Sequence, residues 1–115
     1  MKPSVTPRLG VLAALLIATA PTLLSGQVAD PDATRHAERI EDFAAYDAKN
    51  SFPPDATVFV GSSSIVRWDT GDRFRGMPLL NRGFGGSQMS DLVHYVEETV
   101  LKYSPRTVVV YEGDN

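Results

Sequence analysis

Three short loops hold most of the side chains able to do chemistry: Gly61-Ser62-Ser63-Ser64, Gly83-Phe84-Gly85-Gly86-Ser87 and Gly113-Asp114-Asn115. A serine hydroxyl becomes a nucleophile when it is exposed, when a base takes its proton, and when donors hold the oxyanion that forms on attack. A glycine at a strand end permits the sharp turn that carries a following serine to the tip of a sheet. Gly86 has no Cβ to shield its N–H, and Asn115 offers a side-chain NH2. A serine triplet by itself is more often a polar turn. The triplet gains meaning from the other two loops.

The elements between the loops must bring them together. Thr57-Val58-Phe59-Val60 is apolar and β-branched, which predicts a strand buried on both faces. Residues 78–81 and 107–111 read as a second and a third strand. Ala37, Ile40, Phe43 and Ala44 recur at helical spacing, and that pattern runs out near Asn50 before Pro53-Pro54. Residues 65–74 read as a turn or short helix. Met89, Leu92, Val93, Val96 and Val100 predict one helix with Ser87 as its N-cap, ending near Tyr103 ahead of Ser104-Pro105. Strands alternating with helices imply a parallel sheet with helices on both faces. Ligands of such sheets bind outside the carboxyl ends of the strands. All three loops follow strands, so they are expected to converge on one crevice.

Composition narrows the classes. The 115 residues carry 11 basic and 14 acidic side chains, a net charge of −3, which argues against nucleic acid as the main partner. With 43% hydrophobic residues the chain is that of one small globular domain. It has no cysteine, which excludes disulfides, cysteine-based zinc sites and a thiol nucleophile. Two histidines leave little for a multi-histidine metal site. Asp69, Asp72 and Asp114 lack the spacing of a calcium loop, and a third dinucleotide-loop glycine would fall at Gln88. Neither metal nor cofactor is expected.

Lys2 and Arg8 precede an apolar run from Leu9 to Leu24, followed by Ser25 and Gly26. That order predicts a signal peptide over residues 1–26, with cleavage somewhere in 20–29, and an exported protein, periplasmic or extracellular. The run is shorter than the ~20 residues a spanning helix needs and contains Pro21, so no membrane span is expected after cleavage. Residues 27–115 form the folded part. Asn115 comes directly after a strongly apolar strand, which suggests that the domain continues beyond it.

Gly61-Ser62-Ser63-Ser64-Ile65, Asn81-Arg82-Gly83-Phe84-Gly85-Gly86 and Gly113-Asp114-Asn115 resemble, in order, the first three sequence blocks of the SGNH or GDSL-like esterases and lipases. The resemblance runs from about Arg39 to the end. It implies a three-layer α/β/α sandwich on a flavodoxin-like parallel sheet, incomplete in this chain. It implies Ser63 as the nucleophile, with Ser62 where the family motif has aspartate and Trp68 where many members carry tryptophan. It further implies an oxyanion hole made by Ser63, Gly86 and Asn115, and no metal or organic cofactor. The family's last block, Asp-x-x-His, supplies the base and is not found here. His36 is expected to be a solvated helix residue, and His94 to lie about two turns down the helix after Gly86, too far to serve Ser63.

The expectation is therefore an exported serine esterase acting on acyl or acetyl esters, with carbohydrate as one carrier, and inactive without a base. The alternative is a non-catalytic secreted α/β module that uses the same loops to bind a glycan or small anion.

Overall fold

The computed structural model describes residues 30–115. The predicted signal peptide and its cleavage region lie outside the described residues. No helix among the described residues is long and apolar enough to cross a membrane.

A 3-10 turn, Ala33–His36, leads into α1, Ala37–Asp47. Asp32 opens the turn by accepting the Thr34 N–H at 2.9 Å. Strand β1, Thr57–Gly61, is followed by two short helices, α2, Ser63–Arg67, and α3, Thr70–Arg73. Strand β2, Leu79–Asn81, then leads to α4, Met89–His94, and α5, Val96–Thr99. A 3-10 turn, Leu101–Tyr103, precedes β3, Thr107–Tyr111.

The single helix expected from Met89 to near Tyr103 is in fact three pieces. The backbone leaves helical geometry at Tyr95 and again at Val100. Val93, Val96, Thr99 and Val100 are β-branched and poor at holding a helix against tertiary demands. The cap also differs from expectation. Gln88, not Ser87, is the N-cap, and its N–H donates to Asp91 Oδ2 at 2.8 Å. Ser87 is committed elsewhere: its hydroxyl donates to Glu112 Oε2 at 2.7 Å.

The three strands are all parallel, in the order β2-β1-β3. Val58 sits beside Leu80 on one side and Val108 on the other. The central strand β1 is buried along its whole length, as its unbroken apolar run predicts. On one face Val58, Val60 and Leu80 pack with Ile40 and Phe43 of α1 and with Phe84, Leu92, Tyr95 and Val100. Phe59 points the other way, as alternation requires. Its ring lies 5.4 Å from those of both Phe74 and Trp68.

One buried ion pair ties the far ends of this layer together. Arg82 is buried and donates to Asp47 Oδ1 and to the Tyr103 hydroxyl, both at 2.7 Å. Lys102 reaches Asp47 at 2.5 Å. Burial works against the charged Asp47 carboxylate, but the bonds from Lys102, Tyr103 and Arg82 outweigh it and hold its carboxyl below the ordinary value.

Candidate functional site at the strand-end loops

The strand order sets which loops are neighbours. The chain passes from β1 to β2 on one side, then crosses back over β1 to β3 on the other. The carboxyl ends of β1 and β3 therefore lie side by side, at the end of the sheet where open parallel sheets bind ligands.

Gly61 closes β1 at a φ of +146°, and a Cβ there would lie 1.9 Å from the Tyr111 carbonyl oxygen. Only glycine lets β1 and β3 stay this close. Their pairing continues through the Ser62 N–H, which donates to Tyr111 O at 3.2 Å. The loop after β2 is pressed onto α2, because a Cβ on Gly83 would meet Ile65 Cγ2 at 2.8 Å and Val66 N at 2.9 Å. The Phe84 N–H donates to Gly61 O at 2.9 Å. The expected convergence of the three loops is thus present, and each contact has a local cause.

The three serines occupy different environments. Ser62 is fully buried. Ser63 is half-buried and opens α2, so its N–H has no acceptor within the helix. Ser64 is exposed, and its hydroxyl lies 3.4 Å from Asp114 Oδ2. A Cβ on Gly85 would stand 4.0 Å from Ser63 Cβ, which puts the second loop against Ser63. Gly86 is exposed at a φ of +76°, with open space where a side chain would be.

Asn115 is brought to the same place with different partners from those expected. Its amide nitrogen donates to the Ser62 hydroxyl and, at 2.8 Å, to the Ser87 carbonyl. Its two amide protons thus meet Ser62 and Ser87. To serve an oxyanion at Ser63, the amide would exchange the Ser62 hydroxyl for the ligand oxygen.

No described histidine stands beside Ser63. His94 is exposed and packs edge-on against Tyr95. His36 is not the solvated residue expected from the sequence: it is only 8% exposed. Its ring meets Phe84 edge-on at 5.1 Å, and Nε2, buried without a hydrogen bond, lies 3.5 Å from Asp91 Oδ2. The signal was available, since His36, Ile40 and Phe43 follow helical spacing on one stripe.

Sequence reasoning did not single out the support beneath the second loop. The Arg35 guanidinium clamps the fully buried Asp91 carboxylate at 2.9 and 2.5 Å and approaches the Gly86 carbonyl at 3.4 Å. Burial disfavours the Asp91 charge, yet the Gln88 N–H, the Arg35 pair and the nearby His36 more than offset this and hold its carboxyl below the ordinary value. Fifty-six residues separate Arg35 from Asp91, so no local pattern could reveal the pair. Among the described residues no group of three or more His, Asp or Glu side chains is placed to hold a metal ion.

Chemically, the arrangement offers a half-buried serine at a helix start, a glycine N–H loop beside it and a carboxamide one contact away. Compared with protein-family profiles, with curated proteins and with solved structures, the chain finds no match.

Proposed function

We propose that this protein is an exported serine esterase of the SGNH type, with its sheet forming part of a three-layer α/β/α sandwich. The observation that supports this best is the placement of Ser63, at the first residue of α2 and against Gly85, where the three loops meet. In this reading Ser63 Oγ attacks the carbonyl carbon of an acyl or acetyl ester. The N–H groups of Ser63 and Gly86 and the Asn115 amide receive the oxyanion, the alcohol departs with a proton, and water then releases the acid from the acyl-serine. The general base is required from outside residues 30–115.

The test is a fluorophosphonate probe applied to the protein expressed from its complete gene. The adduct is expected on Ser63 by mass spectrometry, and Ser63→Ala is expected to abolish ester hydrolysis. An adduct on Ser62 or Ser64, or none, overturns the reading.

A second reading is a non-catalytic secreted module that binds a glycan or small anion. The engagement of the Asn115 amide with Ser62 and Ser87 favours it. It predicts no adduct and no effect of Ser63→Ala on any hydrolysis.

A further inference from the structure

A concavity lies one helical turn from Ser63. Ser63 and Arg67 stand four residues apart on α2, so they share a face about 6 Å apart along the axis. From Arg67 a groove of about 470 Å³ opens, lined by Arg39, Val66, Arg67, Trp68, Asp69 and Asn81 among others. That volume is within the range of small-molecule sites.

The groove's walls are fixed and its cations are available. Trp68 is 40% exposed, while its ring is braced edge-on by Phe59 at 5.4 Å and by Phe74 at 5.5 Å. The indole is therefore a held platform, not a loose surface side chain. Asn81 is locked by donating to Ile65 O at 2.8 Å and accepting the Gly83 N–H at 3.0 Å. The Asp69 carboxylate is engaged as the cap of α3, accepting the Asp72 N–H at 3.3 Å. Arg67 has no ion-pair partner among the described residues. Arg39 lies over the Phe43 ring at 4.6 Å, and its only described carboxylate neighbour, Asp42, is exposed and 3.7 Å away. Such an exposed pair holds a guanidinium weakly.

We infer that this groove binds a carboxylate-bearing sugar, a uronate, with its ring on Trp68 and its carboxylate between Arg39 and Arg67. A guanidinium presents a planar fork that matches a carboxylate two bonds at a time. An aromatic side chain and two such forks in one lining suit a ring that carries an acid. Two guanidinium groups against one carboxylate, Asp69, give the groove lining a formal charge of +1 on a chain whose net charge is −3. Resting on the esterase reading, the groove would select esters carried on acidic carbohydrate, the acyl group reaching Ser63 along α2. The binding itself does not depend on that reading.

The Trp68 indole N–H, assigned as the resonance lost in Trp68→Phe, gives an NMR signal that reports on this groove. The experiment titrates the protein expressed from its complete gene with tri-galacturonate and, separately, with maltotriose. Tri-galacturonate should shift that resonance saturably, weaken with added salt, and bind at least about tenfold less tightly to Arg67→Gln and to Arg39→Gln. Maltotriose should bind at least about tenfold more weakly than the uronate. No saturable shift, equal binding of the two sugars, or unchanged affinity in both arginine variants overturns the inference. Ser63→Ala should bind as wild type. Uronate binding without a fluorophosphonate adduct keeps the groove and retires the esterase, and an adduct without uronate binding does the reverse.

Discussion

Replacing Asp91 by asparagine tests the support under the second loop. The native carboxylate is fully buried, takes two bonds from Arg35 and one from the Gln88 N–H, and faces His36 Nε2. An amide at that position has one acceptor oxygen. If the oxygen keeps Gln88 and one arginine nitrogen, the NH2 group points at the other arginine nitrogen, donor against donor. Breaking a buried pair from one side costs about 3–5 kcal/mol. The Arg35 side chain is 32% exposed and regains part of this in water, so a loss of about 2–3 kcal/mol is expected. For a domain of this size that is roughly 2 M in urea midpoint or about 10–20 °C in Tm. Urea unfolding followed by Trp68 fluorescence measures it, and amide exchange at Gly86 and Gln88 shows whether the loop loosens with it. Asp72→Asn is the control, because the Arg75–Asp72 pair is largely exposed on both sides and should change stability by under about 0.5 kcal/mol. A loss below about 1 kcal/mol for Asp91→Asn, against that expected cost, would refute the argument that this pair holds the loop.

Asn115→Ala should lower kcat about 10²–10³-fold with little change in KM if the amide holds the oxyanion. A purely structural amide predicts instead a lower Tm, from the unpaired buried Ser62 hydroxyl, with kcat nearly intact in the folded fraction. Gly61→Ala should destabilise the fold severely, since its Cβ would sit 1.9 Å from Tyr111 O, whereas Gly86→Ala, with nothing near its Cβ, should cost only about the 1–2 kcal/mol of a left-handed residue; thermal melts of the two compare them. Asp47 and Asp91 both have lowered folded-state pKa values, so their stabilisation is complete above the unfolded value of about 4 and is lost as pH falls through the folded values. Urea midpoints should hold steady from pH 7 to about 5 and fall below about 4, and Asp91→Asn should flatten part of that fall.

The strand and loop pattern was legible in the sequence because each feature is local. Val58 to Val60 is apolar on consecutive residues and rich in β-branched side chains, which suits a strand buried on both faces, and β1 is such a strand. Residues 107–111 read and fold as the third strand, and glycine at position 61 announces a turn that no other residue could make there. The convergence of the three loops followed from parallel-sheet topology. Tertiary structure decided the rest. The helix after Gln88 breaks at Tyr95 and Val100, where packing overrides periodicity. Ser87 turns to Glu112 and leaves the cap to Gln88. His36 goes into the core, Arg35 finds Asp91, and the Asn115 amide settles on Ser62 and Ser87. These are contacts between residues from 25 to 56 positions apart. Hydrogen bonds and ion pairs at that separation depend on where whole elements dock, and docking is set by the packing of the entire core, which no short stretch of sequence contains.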